Sequence, residues 1–250
     1  MEALACHHDG MNGNDRAAKP AIETNCTIPT NRAIDSISII ATIDTSDTHR
    51  TIAPSILYYG TPVALLSTTN PDGSTNLAPM SSSWALGDAI VLGMALGSRT
   101  ASNLEAGSDV VVNLPDAGLW RQVETLGDLT GNAEARPGHQ HGAAPCHDKF
   151  AAVGFTSEPS ELICPERVSQ CPLQLECRTV SVEHDALRDG FLIVQARVIR
   201  VHADASLIVP GTDHIDPKRW KPLIYNFRHY FTLGGQLGES RISETPAPQR

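Results

Sequence analysis

Two hydroxyl-rich segments within residues 76–103 carry the residue types with which proteins hold a phosphorylated small molecule. In Gly97-Ser98-Arg99-Thr100, a guanidinium and two hydroxyls stand at the expected start of a helix, where backbone N–H groups lack intrahelical partners. Ser98, Arg99 and Thr100 together form a donor set suited to a phosphate, with Asn103 a turn further along the same helix. Upstream, Asn76-Leu77-Ala78-Pro79-Met80-Ser81-Ser82-Ser83 is polar and small-sided, and an apolar run at residues 89–96 separates the two segments.

Other clusters point less directly to chemistry. His139, His141, Cys146 and His147 are all metal-competent, but their spacing matches no structural zinc pattern, and no metal is expected. A lid that places His139 or His141 against a substrate is the favoured functional role for that Gly/Pro-rich loop. Cys164, Cys171 and Cys177 lie mostly in strand-like sequence and read as small buried side chains. Phe227, Tyr230 and Phe231 form an aromatic group in an aromatic-poor chain, suited to core, subunit contact or pocket wall. There is no G-x-S-x-G, so a nucleophilic serine has no support.

The elements that must position these residues are short. Residues 56–60 and 63–68 read as strands, ended by Asn70-Pro71-Asp72-Gly73, whose proline and glycine signal a turn. Residues 74–77 return as the hairpin partner, 89–96 form the next strand, and 100–106 a helix ended by Gly107. Residues 110–114 are a β-branched strand, 119–129 have helical apolar spacing, and 147–153 form another short helix. Residues 173–183 and 191–202 read as a long hairpin joined at 185–190.

Composition narrows the class. The 250 residues are 41% apolar but only 5% aromatic, and the 19 glycines and 17 prolines favour strands and turns over long helices. A net charge of −9 with no basic block argues against a nucleic-acid or anionic-membrane surface. No apolar stretch is long enough for a membrane helix, and the N-terminus lacks the pattern of a secretory signal. Six cysteines without export read as reduced thiols, so a cytoplasmic location is expected. Residues 1–50 form a polar arm, with one strand candidate at 37–43. Residues 51–241 form a single domain, and 242–250 a Pro-rich tail. The expected architecture is a β-barrel with a few short helices.

Asn76-Leu77-Ala78-Pro79-Met80-Ser81-Ser82 resembles the N-x-A-P-x-S element of the flavin reductase-like, FMN-binding split-barrel family. Gly97-Ser98-Arg99-Thr100-Ala101-Ser102-Asn103-Leu104 resembles its (K/R)-x-T-x-x-N-L phosphate segment, with one residue fewer between Arg99 and Thr100. Val110-Val111-Val112-Asn113-Leu114, then Asp148-Lys149-Phe150 and Cys171-Pro172-Leu173-Gln174-Leu175-Glu176-Cys177, are similar to later family elements, and Tyr230-Phe231-Thr232-Leu233-Gly234-Gly235 to its closing one. The resemblance spans about residues 52–240, in the family's order.

The resemblance implies a mainly β, Greek-key split β-barrel that forms a homodimer and binds FMN without a covalent link. It implies hydride transfer from NADH or NADPH to FMN as the activity, with a small-molecule substrate or a partner monooxygenase receiving the electrons. Ser98, Arg99, Thr100 and Asn103 would then hold the phosphate. Asn76, Ala78, Pro79, Met80, Ser81, Ser82 and Ser83 would face the ring and ribityl chain, and Tyr230 would form a pocket wall. An electron carrier without nicotinamide activity, and an FMN enzyme acting directly on an organic substrate, are the alternative expectations.

Overall fold

The computed structural model describes residues 49–132, 144–184 and 190–241. The strand candidate at 37–43, the candidate lid residues His139 and His141, the hairpin loop at 185–189 and the tail at 242–250 lie outside the described residues. The chain divides into two compact units, Met1–Ile52 and Ala53–Arg250. Of the first, only residues 49–52 are described, and they are exposed and without regular structure.

In the second unit the chain runs through β1 (Tyr59–Pro62), β2 (Ala64–Thr69), β3 (Thr75–Met80), β4 (Ser83–Leu86) and β5 (Ala89–Ala95) into α1 (Arg99–Glu105). Next come β6 (Val110–Leu114), α2 (Trp120–Gly127), the short β7 (Leu129–Thr130) and β8 (Ala144–Pro145), and α3 (Lys149–Val153). The short β9 (Ser157–Glu158) and β10 (Arg167–Val168) precede the long pair β11 (Leu173–His184) and β12 (Phe191–Ala203). β13 (Ile224–Asn226) and β14 (His229–Phe231) complete the unit.

Seven strands form one antiparallel sheet in the order β3-β2-β6-β11-β12-β5-β4. Its two end strands, β3 and β4, are joined in sequence by Ser81 and Ser82 alone, so the sheet curls back on itself. Along β12, Leu192, Val194 and Ala196 alternate inward while Phe191 and Ile193 stay exposed, the period-two pattern of a sheet buried on one face. β2 differs. Leu66 enters the interior with Leu92, Val112 and Val194, whereas Leu65 turns the other way to pack with Val123, Leu126 and Phe150 of α2 and α3. The result is a mainly β barrel with a few short helices: α2 and α3 cover the Leu65 side, while α1 packs Ala101 and Leu104 against the interior cluster.

The turn at Asn70-Pro71-Asp72-Gly73 forms as read: Gly73 N–H donates to Asn70 O over 2.9 Å, with φ at +84° for Gly73. Two expectations change. Residues 56–58 stay outside any strand, and β1 begins at Tyr59, because its partner is the remote β13. Ser83, the end of the segment read as polar and small-sided, instead opens the edge strand Ser83–Leu86, hydrogen-bonded to β5. The serines before it hid its alternation, and Trp84 and Leu86 project outward.

Candidate functional site

At the start of α1, Ser98 is extended and its Oγ accepts the Ala101 N–H at 3.1 Å, so this hydroxyl caps the helix. Thr100 and Asn103 turn inward. Asn76 Nδ2 donates to Thr100 Oγ1 at 3.0 Å, and Asn103 Nδ2 donates to Thr68 Oγ1 at 3.1 Å and Asn70 Oδ1 at 3.0 Å. These buried amides and hydroxyls join β2, β3 and α1 into one polar network. One atom in it is left over: Asn76 Oδ1 is buried and accepts no hydrogen bond from the described residues.

Arg99 lies beside that atom. Its Nε donates to Gly131 O at 3.1 Å, and Asn132 Nδ2 donates to Gly97 O at 2.9 Å, so residues 131–132 clasp the turn before α1. A Cβ at Gly131 would stand 2.6 Å from Asn76 Oδ1 and 2.9 Å from Arg99 Cγ. Only glycine lets this backbone pass. Among the described residues, no hydrogen bond or ion pair uses the terminal nitrogens of the Arg99 fork.

A second cation is close. Lys149, at the first position of α3, is 4% exposed, and its Nζ donates to Leu77 O at 2.8 Å. Burial lowers its pKa to about 8; the nearby Cys146 thiol works against that shift and the Arg99 charge adds to it. The residue stood in a family motif, but nothing in its neighbours' polarity marked it as buried.

The other half of the predicted set lies elsewhere on the unit. Pro79, Met80 and Ser81, at the end of β3, border a hollow of about 280 Å³ with Glu124, Tyr225 and Tyr230. Tyr230 donates its hydroxyl to Glu124 Oε2 at 2.8 Å and stacks obliquely on Tyr225, with ring centroids 5.3 Å apart. Burial raises the Tyr230 pKa, and the bond to Glu124 raises it further. A hollow of about 630 Å³ continues past the same Glu124–Tyr230 pair, with Trp120, Arg228, His229 and Phe231 on its wall. Glu124, Tyr225 and Trp120 were not singled out from sequence; the helical register of residues 119–129 was the signal available for Trp120 and Glu124.

The predicted residues are therefore distributed. Pro79, Met80, Ser81 and Tyr230 share one hollow, while Arg99 and Asn103 border another of about 440 Å³ with Asn70 and Ser108. Asn76 and Thr100 are bonded to each other. Ala78 pairs with Leu66 inside the sheet. Ser82 accepts the Gly93 N–H through its carbonyl at 2.8 Å, and Ser83 opens β4. No group of three or more metal-competent side chains occurs among the described residues. Of the three cysteines expected to be buried, Cys171 and Cys177 are, and burial raises both thiols, Cys177 to about 12, whereas Cys164 is exposed.

Residues 56–234 match the model of the flavin reductase-like domain. The chain is 42% identical over 206 residues to the uncharacterized protein YdfE of Bacillus subtilis strain 168, covering 81% of this chain and 99% of that protein. Among solved structures, flavoredoxin of Desulfovibrio vulgaris (Miyazaki F) superposes with a TM-score of 0.65 at 19% identity, over 78% of this chain and 99% of its own. Nitrilotriacetate monooxygenase component B from Bacillus cereus does so at 0.60 and 18% identity, over 80% of this chain and 100% of its own. The chain belongs to the flavin reductase-like family. Its fold is the Greek-key split β-barrel expected from the sequence, and its activity class is that of a flavin-related oxidoreductase.

Proposed function

We propose that the protein is an FMN-dependent oxidoreductase that draws hydride from NADH or NADPH to reduce bound or exchanging FMN. The observation that carries this reading is the pairing of Asn76 Oδ1 with Arg99: among the described residues, the first is a buried acceptor without a partner and the terminal donors of the second are unused. A ligand that meets both must offer hydroxyl donors and anionic oxygens a short distance apart. The ribityl phosphate of FMN does so. Arg99 would bind the phosphate, with Ser98, Thr100 and Asn103 fixing the turn that presents it, and Asn76 would accept from a ribityl hydroxyl.

Ala78, Pro79, Met80, Ser81, Ser82 and Ser83 would orient the flavin through their backbone, with Tyr230 and Tyr225 as the aromatic wall beside Pro79–Ser81. When bound, FMN supplies the capacity to accept and release hydride; the chain's residues bind it, orient it and exclude water. No side-chain acid or base is required of them. The exposed Trp84, Leu86, Phe191 and Ile193, on the outer face of β4 and β12, support a homodimer.

The hollow beyond Glu124 and Tyr230 favours a second reading, an FMN enzyme that acts directly on an organic substrate. The name of component B fits delivery of reduced flavin to a partner monooxygenase, and that of flavoredoxin fits a carrier without nicotinamide activity. Purified protein should be yellow or quench FMN fluorescence on titration, and should oxidise NADH or NADPH when flavin is supplied. Colourless protein that leaves FMN fluorescence unchanged rules out every FMN version. Yellow protein inert to both nucleotides moves the assignment to the carrier or direct-substrate reading.

A further inference from the structure

Lys149 is an ammonium group almost wholly removed from water, with three N–H donors and, among the described residues, one acceptor, Leu77 O at 2.8 Å. Among the described residues no carboxylate pairs with it. Asp148 accepts from Ala151 N, and Asp72 is occupied by Ser74 and His147. Two neighbours' charges reach Lys149: the Cys146 thiol, which favours the ammonium, and another cation, Arg99, which opposes it. Two like charges brought together and partly desolvated disfavour each other unless an anion lies between them.

The backbone shows where they converge. Lys149 is bonded to the carbonyl of Leu77, and Arg99 packs on Gly131, which in turn presses on Asn76 Oδ1. Asn76 and Leu77 are consecutive residues of β3, so the two cations, from α1 and α3, are held against adjacent residues of the strand. We propose that Lys149 is a second direct contact of the ligand's phosphate, sharing the phosphomonoester with Arg99 across Asn76 and Leu77. This rests on the FMN reading and deepens it: the site selects the phosphorylated flavin over the unphosphorylated one through two cations on separate helices. The competing role is a purely structural anchor that ties α3 to β3 through Leu77 O.

FMN and riboflavin separate these roles, because they differ only in the phosphate. Wild-type protein should bind FMN more tightly than riboflavin in fluorescence-quenching titrations. Lys149→Met should weaken FMN by about 10-fold or more while leaving riboflavin within about twofold, the scale of a lost charge-assisted contact. Loss of both ligands together, or of neither, overturns the proposal and leaves the anchor. Wild-type protein that binds neither flavin, or does not discriminate between them, counts against the FMN reading itself. The intact protein offers a check that needs no folded variant. The chain has only four lysines, so the ε-carbon signal of Lys149 can be followed by NMR in lysine-labelled protein. It should shift on adding FMN and stay in place on adding riboflavin; a signal indifferent to FMN overturns the proposal.

Discussion

Asn76 Nδ2 donates to Thr100 Oγ1 across 3.0 Å, joining the turn end of the hairpin β2–β3 to the first turn of α1. The bond is buried, so the Arg99 turn is set by the sheet and not by the local helix alone. Thr100→Val keeps the shape and removes the acceptor, leaving the Asn76 amide with only a 3.5 Å contact to Thr68 Oγ1. The expected cost is about 1–3 kcal/mol in unfolding free energy, read from the shift in urea midpoint at unchanged slope.

Arg99→Ala should weaken FMN binding by about 1.5–3 kcal/mol, the range of a charge-assisted hydrogen bond. Riboflavin affinity should stay near the wild-type value. Equal FMN affinity in the two proteins, measured by fluorescence quenching, would remove Arg99 from the phosphate site.

Gly131→Ala places a methyl 2.6 Å from Asn76 Oδ1 and 3.0 Å from Arg99 Cβ. Overpacking of this kind costs about 1–3 kcal/mol and should displace either the Asn76 amide or the Arg99 stem. A lowered melting temperature together with weaker FMN binding is expected. Stability and affinity both at wild-type level would show that the clasp at residue 131 yields freely.

Glu176, fully buried on β11, accepts from Glu161 N and Leu162 N at 2.8 Å each and from His202 Nε2 at 2.7 Å. Burial opposes its ionisation, but these donors outweigh burial and hold its pKa below the ordinary 4.5. A carboxylate with a lowered folded pKa contributes stability that is complete above its unfolded value and is lost as pH falls through the folded one. Thermal stability should therefore decline below about pH 4.5 partly through this group. Glu176→Gln should cost about 1–3 kcal/mol at neutral pH, since its amide NH₂ meets a backbone donor. Melting curves against pH should then show a shallower acid limb for the variant; an unchanged limb would clear Glu176 of that role.

Local signals were enough for most strands and helices. Residues 110–114 and 191–202 carry strong β patterns, and Gly73 follows a proline in a turn that few other conformations satisfy. No strand is legible at residues 83–86, because an edge strand buries little and its alternation is weak. β1 and the β13–β14 hairpin close through Tyr59 and Asn226, which are remote in sequence, and no short-range pattern reports such a pairing. Phe227 and Arg228 even turn that hairpin with positive φ, at 45° and 67°, where Asn-Gly would have been the readable choice.

The site divides along the same line. By itself, the sequence determined the donor chemistry: two hydroxyls, Ser98 and Thr100, at the helix start, Arg99 as cation, and a small-sided strand end at Pro79–Ser81, because caps, charges and turns act over a few residues. Which of these residues face outward was decided only by the tertiary structure. Thr100 and Asn103 satisfy their hydrogen bonds against β2 and β3, and burial carries Lys149 from a polar helix start to the Leu77 carbonyl beside Arg99. A buried polar group must find its partners wherever the packed chain supplies them, and for these residues the partners lie 24 to 72 positions away.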